Sequence, residues 1–376
     1  MTVKIEGHCD AAFLAVRDAF AANFEVDREI GASCSVVIDG RTIVDIWGGY
    51  TDDSRTTPWS QDTIVNLMSV AKGFDSIVMQ KLFDRGLLEI DAPVAKYWPE
   101  FAQAGKSGVT VRHVLSHTSG LEVVREPMWP GAIYDWNAFV GALERQAPSH
   151  EPGTFRAYHP MTVGHLTGEL VRRVTGKSYG RILRETIGAP FGIDFQVGLS
   201  RPELARCARF TPGPGYDDPQ YAPSPLNDLL VASRAQFDAE RDDAFNSEQY
   251  RMSEIPSANG HGNGRSIAKF YGKLALNDEA IVTKEALQRI CEVQWEGVEA
   301  VLSHDIRMGL GVRRNCVDVY MGPNETAWGH SGAGGSLGYV DPEAKLGFGY
   351  AMNLMRPTRN NGPRPRRLID ALYSCL

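Results

Sequence analysis

Two β-rich runs, Ser33 to Ile38 and Thr42 to Trp47, face each other across Asp39-Gly40. Asp-Gly between apolar β-branched segments is the strongest short-range hairpin signal, because both turn residues must accept positive φ. Strand patterns return only near the end, at Met308 to Val312, Val317 to Tyr320, Ser336 to Val340 and Leu346 to Met352, the last two joined through Asp341-Pro342. The intervening chain reads as helices and loops. A first helix is expected over about 11–23. From Ser69, the apolar positions Val70, Phe74, Ile77, Val78 and Leu82 follow helical spacing and stop before Gly86. Another helix spans about 162–175, with Val163, Leu166, Leu170 and Val174 on one face and Gly176 as its stop. A last helix starts near Pro365.

Strands at both ends around a helical middle predict an α/β (α+β) fold: one antiparallel sheet built from both termini, flanked by helices, with a mainly helical domain inserted. The 376 residues, 43% of them hydrophobic, suffice for two packed domains. The expected division is 1–75 with 255–376 for the sheet domain and 76–254 for the insert. The active site is expected between them. Glycine- and proline-rich connections such as Pro212 to Pro225 surround the middle helices.

Charge and cysteine usage narrow the partners. The net charge of -7 comes from dispersed Asp and Glu, without a Lys/Arg stripe interleaved with aromatics, which argues against nucleic acid or acidic lipid. Met1 to Asp10 is polar and lacks the basic and apolar regions of a signal peptide, and no apolar run approaches the roughly 18 to 20 residues that span a bilayer. A cytoplasmic protein with no membrane contact is expected. Cys9, Cys34, Cys207, Cys291, Cys316 and Cys375 stand singly without CxxC, so reduced thiols are expected, with no disulfide framework or zinc ribbon. The sequence leaves the oligomeric state open, and a homo-oligomer is compatible with it.

Ser69-Val70-Ala71-Lys72 is an S-x-x-K tetrad at a helix start, and i to i+3 spacing places hydroxyl and amine on one face. A serine hydroxyl needs a neighbouring base or cation to become a nucleophile, and a helix N-terminus offers N–H groups to a developing oxyanion. Alone the tetrad is weak, since it arises by chance about once or twice in such a chain and equally describes a helix cap with a solvated lysine. Its neighbours are specific in order: Asp62-Thr63-Ile64, then Met68 to Lys72, Gly86 to Val94, and Val111 to Leu121 with Ser116-His117-Thr118-Ser119-Gly120 inside it.

Together with Gly329-His330-Ser331-Gly332-Ala333-Gly334-Gly335, these segments resemble the serine β-lactamase and penicillin-binding-protein superfamily, nearest to its esterase branch, the family VIII carboxylesterases, over almost the whole chain. The resemblance implies catalytic roles for Ser69, Lys72 and Tyr158, the last in Tyr158-His159-Pro160 where the family carries Tyr-x-Asn. It implies an oxyanion hole from the N–H groups of Ser69 and Ala333, and a cleft lined by His330, Ser331, Gly332 and Gly334. Two departures stand out: the asparagine of Tyr-x-Asn is absent, and His330-Ser331-Gly332 occupies the place of Lys-Thr-Gly. Members that hydrolyse lactams use those two groups on the substrate carboxylate and amide, so their loss points to an uncharged ester. A phenol serves as base only if a cation lowers its pKa, which a Lys72 ammonium aimed at both oxygens is expected to do. Sequence leaves open whether Lys72 or Tyr158 takes the serine proton. For His330, a locally bonded strand histidine is as good a reading as a catalytic one.

The function expected is a serine carboxylesterase working through a Ser69 acyl-enzyme on a short-chain acyl ester, with no cofactor and no metal. Alternatives are lactam or amide hydrolysis, acyl transfer, or a non-catalytic scaffold. Gly334-Gly335-Ser336-Leu337-Gly338 matches the G-x-S-x-G elbow, but Ser336 leads into a strand rather than a helix, so it reads as structural. His113 and His117 have zinc-ligand spacing without the H-E-x-x-H glutamate, and His117 reads better as a buried, hydrogen-bonded loop residue. Gly105-Lys106-Ser107 lacks the earlier glycine of a phosphate loop, since position 100 is Glu. Met128-Trp129, Tyr134 and Trp136 are more often core than pocket lining.

Overall fold

The computed structural model describes residues 3–215, 241–357 and 361–376, so the part of the Pro212 to Pro225 connection beyond 215 lies outside the described residues. Its main sheet has nine strands: β1 (Ile5–Cys9), β2 (Gly31–Ile38), β3 (Arg41–Gly49), β4 (Trp295–Val298), β5 (Asp305–Met308), β6 (Arg313–Arg314), β7 (Trp328–Ser331), β8 (Leu337–Asp341) and β9 (Leu346–Met352). They lie in the order β1-β3-β2-β9-β8-β7-β6-β5-β4 and every pairing is antiparallel. The join between the two ends of the chain is β2 against β9, from Ile38↔Leu346 to Ala32↔Met352. Asp39 and Gly40 both have positive φ at the β2–β3 turn, as the hairpin signal requires.

The helices used below are α1 (Leu14–Val26), α2 (Ala71–Asp84), α3 (Val111–Leu115), α4 (Trp136–Arg145), α5 (Thr162–Thr175), α6 (Gly264–Ala275) and α7 (Pro363–Tyr373). Side chains alternate across β9, and each face meets a different helix layer. Gly347 and Gly349 face α6: a Cβ on Gly347 would lie 2.1 Å from the Gly272 nitrogen, so only glycine admits this approach. Tyr350, on the other face, reaches Glu29 beside α1 and α7. The helix α2 is buried almost all round, and Phe74 stacks between Phe195 and Phe270 at centroid separations of 3.7 and 3.9 Å. Burying one such ring stabilises by about 2 to 3 kcal/mol, which makes α2 a rigid platform.

All nine sheet strands fall within 1–75 and 255–376, while α3, α4 and α5 fall within 76–254. Ile5–Cys9, to which the sequence reading assigned no element, forms an edge strand paired with β3. Two local expectations are corrected. The strand expected over Met308 to Val312 ends at Met308, because Gly309 and Gly311 turn the chain into β6. Val317 to Tyr320 is no strand: it makes one isolated bridge, Cys316↔Val319, and Val317 is 82% exposed, so its apolar residues have no second strand to meet.

Candidate active site

Ser69 sits in a short 3-10 turn, Met68–Val70, that runs into α2. The residue before it, Met68, has φ of +49°, an unusual conformation for a bulky side chain. Asn66 stabilises it: its Oδ1 accepts the Met68 N–H at 2.9 Å, and its Nδ2 donates to the Tyr250 hydroxyl at 2.9 Å. Val65–Asn66 in turn pairs with Gly260–Gly262 in a small three-stranded sheet, which brings Ser257 up to α2.

The Lys72 side chain is buried, with three oxygens around its amine. Its Nζ is 2.8 Å from the Pro160 carbonyl, 2.9 Å from the Ser257 carbonyl and 3.1 Å from Ser69 Oγ. Burial, with the Arg313 charge nearby, pushes its pKa well below the usual lysine range, against a smaller pull from Asp75. An uncharged amine has two hydrogens and one lone pair. Two carbonyls can only accept, so in the neutral form both hydrogens go to Pro160 and Ser257, and the lone pair is left for the Ser69 proton.

Tyr158 is buried, with Lys72 Nζ and the Arg313 guanidinium each 4.9 Å from its ring centre. Its hydroxyl lies beside Ser69 and Arg313, without a partner of hydrogen-bond geometry among the described residues. The expected lowering of the phenol pKa is reversed: burial raises it, and Arg313 and Ser69 offset only part of that rise. The backbone of Tyr158 is anchored by Glu299, whose carboxylate accepts the N–H groups of Tyr158 at 3.0 Å, Val301 at 2.9 Å and Leu302.

Backbone partners fix two imidazole tautomers here. The Ser331 carbonyl, 2.6 Å from His330 Nδ1, can only accept, so Nδ1 carries the proton and Nε2 is left as an acceptor. The His159 N–H, 3.1 Å from His117 Nδ1, can only donate, so the His117 proton is on Nε2. Burial holds both rings well below the usual histidine pKa, hence neutral, and both Nε2 atoms are buried without a hydrogen-bond partner among the described residues. The rings of His330 and His117 lie 6.1 and 4.9 Å from that of Tyr158. His117 is thus the buried, bonded loop residue expected.

On the opposite wall, Gly332 N–H donates to the Ser336 carbonyl at 2.8 Å and Ser336 Oγ donates to the Leu67 carbonyl at 2.9 Å. Ser336 is 1% exposed and ties the 331–336 turn to the segment entering Ser69. A Cβ on Gly332 would lie 2.2 Å from Ser336 Oγ and 2.3 Å from the Leu67 oxygen. Ala333, at the tip, is exposed, Gly334 behind it is buried, and the N–H groups of Ser69 and Ala333 make no backbone hydrogen bond among the described residues.

Arg313 escaped sequence reasoning. It is buried, its Nη1 is 3.4 Å from Ser331 Oγ, and its Nε has no hydrogen-bond partner among the described residues. The signal available was its neighbourhood: a two-residue strand of paired arginines, Arg313-Arg314, one of which must face inward. Other sequence features fall elsewhere. Lys106 is buried and donates to three carbonyls, Gln103 at 2.9 Å, Glu144 at 2.7 Å and Gln146 at 2.6 Å, closing the end of α4. His113 Nδ1 accepts the Thr110 N–H as half of a capping box. Tyr134 and Trp136 pack against the core, whereas Trp129 is 55% exposed.

This arrangement, a serine at a strained strand-to-helix turn with a buried lysine one turn on, is accompanied by a sequence match to the family described as Beta-lactamase over residues 16–373. The chain belongs to that family. A relative in Mycobacterium tuberculosis, Esterase/beta-lactamase LipL, is 29% identical across 93% of this chain and 83% of its own length. Esterase EstB of Burkholderia gladioli is 37% identical across 49% of this chain and 51% of its own. A crystal structure of a family VIII carboxylesterase superposes with a TM-score of 0.89 at 40% identity, covering 99% of this chain and 100% of the other. A penicillin-binding-protein homologue from Caulobacter crescentus gives 0.93 at 35% identity, with the same coverage. The fold is therefore that of the β-lactamase and penicillin-binding-protein group, and the family is one of hydrolases with esterase-named members. Among the described residues no helix is long and apolar enough to cross a membrane.

Proposed function

We propose that the protein is a serine carboxylesterase that cleaves short-chain acyl esters through an acyl-enzyme on Ser69, without cofactor or metal. The observation that carries this reading is the set of three oxygens around Lys72 Nζ, which leaves a neutral amine only one lone pair and aims it at Ser69 Oγ. The serine proton passes to Lys72 as Oγ bonds the acyl carbon, and the oxyanion is held by the N–H groups of Ser69 and Ala333. The C–O bond of the ester then breaks and the leaving alkoxide takes a proton from the Tyr158 hydroxyl, which Lys72 replenishes. In the second half water attacks the acyl carbon and gives its proton to Lys72; the bond from the acyl carbon to Ser69 Oγ then breaks, Oγ takes that proton back from Lys72, and the free acid leaves. A phenol kept protonated by burial suits a donor better than a base. His330, Ser331, Gly332 and Gly334 line the cleft into which the acyl group enters.

One observation favours a second reading, hydrolysis of an anionic lactam or amide on the same serine. Sequence reasoning found no cation at the Lys-Thr-Gly position, but Arg313 brings a guanidinium to within 3.4 Å of Ser331 Oγ. The two readings part on turnover of p-nitrophenyl acetate and butyrate beside nitrocefin, by wild type, Ser69→Ala and Ser336→Ala, with intact mass after a phosphonate probe. Ester turnover and adduct lost only in Ser69→Ala support the esterase; nitrocefin turned over faster than either ester supports the second reading. Full activity in Ser69→Ala overturns both.

A further inference from the structure

Away from the groups around Ser69, a buried ion pair touches the turn that carries Ala333. Arg364, in the first turn of α7, is 2% exposed, and its partner Glu29, between α1 and β2, is fully buried. Arg364 Nη1 donates to both Glu29 oxygens at 2.8 Å and to the Leu354 carbonyl at 3.0 Å. Its Nη2 donates to the Gly334 carbonyl, which also accepts the Arg356 N–H at 3.3 Å. Tyr350 completes the group by donating to Glu29 at 2.6 Å. Burial pushes the Glu29 carboxyl up, and the guanidinium pulls it back. Nη2 comes within 2.7 Å of the place a Cβ on Gly335 would take, and Gly335 has φ of +125°.

A buried ion pair is a poor stabiliser, since desolvation consumes most of its Coulomb energy and apolar residues of similar volume do as well. What an apolar core cannot supply is a fixed donor. Only a guanidinium fork holds a carboxylate with one arm and a carbonyl with the other. Around Ala333, the Gly332 N–H is bound to Ser336, the Gly335 N–H to the Gly332 carbonyl at 3.2 Å, and the Gly334 carbonyl to Arg364. The Ala333 N–H, at the exposed tip, makes no backbone hydrogen bond among the described residues.

We propose that Arg364, oriented by Glu29, is a positioning residue that fixes the 332–336 turn so that the Ala333 N–H points at the oxyanion. The oxyanion part rests on the esterase reading above. Arg364→Met alone would strand a buried carboxylate, so the deciding variant replaces the whole group: Arg364→Met, Glu29→Leu and Tyr350→Phe. Two readouts are taken: hydrogen exchange of the peptide spanning 332–336, and p-nitrophenyl butyrate kcat per phosphonate-titrated site. The triple variant is expected to melt within a few degrees of wild type, to exchange faster only in that peptide, and to lose kcat on the order of 10²-fold with KM almost unmoved. Wild-type exchange across 332–336 in the folded variant, or an undiminished kcat per titrated site, overturns the proposal. Faster exchange beside a wild type that neither turns over esters nor labels at Ser69 upholds the positioning and sinks the hydrolase reading instead.

Discussion

Lys72 Nζ lies 2.9 Å from the carbonyl oxygen of Ser257, a residue 185 positions further along the chain. That contact and its twin to Pro160 take two of the amine's N–H groups, while burial and the Arg313 charge lower its pKa and so favour the neutral form, whose lone pair is left for Ser69. The base is therefore active once deprotonated, and kcat/KM is expected to rise with pH along one limb whose midpoint falls below the ordinary lysine range, then to stay level because the Tyr158 phenol titrates above its usual value. Lys72→Arg, which cannot deprotonate, should lose at least about 10³-fold in kcat while folding. A pH–rate profile of the two proteins checks this; a rate that falls with rising pH across the neutral range contradicts it.

Arg313 acts on that limb from a distance. Its positive charge is the second cause of the depressed Lys72 pKa, after burial. Arg313→Met removes a like charge, so the Lys72 pKa rises and the acid limb should move to higher pH. The same change removes the guanidinium above the Tyr158 ring and the partner of Ser331. If nitrocefin is a substrate, its KM should rise more than that of p-nitrophenyl butyrate. An unmoved limb would show that the charge is screened.

Five buried histidines set the response to acid. Burial lowers His159 and His165 to about 4 and His261 to about 3, and holds His117 and His330 well below their usual value. Between about pH 6.5 and 4 the unfolded chain binds protons at these positions and the folded chain does not, so stability is full above 6.5 and is lost as pH falls, at about 1.4 kcal/mol per pH unit for each group. His165, packed between Trp136 and Phe139, has no role in the proposed chemistry. His165→Leu should therefore flatten the melting temperature against pH below 6.5 and leave ester turnover at pH 8 unchanged, as thermal melts and a rate assay would record.

Where local pattern decides, the chain was readable. The Asp39-Gly40 hairpin, the helix from the Ser69 tetrad, the 162–175 helix with its Gly176 stop, and Leu346 to Met352 as a strand all rest on periodicity and turn chemistry within one window, and the structure has each of them. What pairs distant segments was not readable. Ser257 and Pro160 contribute carbonyls, which no side-chain motif announces. Arg313 and Arg364 look like surface charges until the sheet folds them inward, and Arg364 finds Glu29 across 335 positions. The direction of the Tyr158 shift was missed for the same reason: a nearby cation was inferable from Lys72, but not how completely the phenol is enclosed.

The seam between β2 and β9 also fixes an order of events in the making of the protein. The β2–β3 hairpin leaves the ribosome more than 300 residues before the strand that completes its sheet, and Ser69 and Lys72 emerge long before Ser257, Ala333 or Arg364. Such distant pairing makes for slow folding and leaves an apolar edge open to chaperones in the interval. On the reading proposed above, it also means that a growing chain carries Ser69 without the groups that would arm it, so reactivity waits until Ser257, Ala333 and Arg364 have emerged.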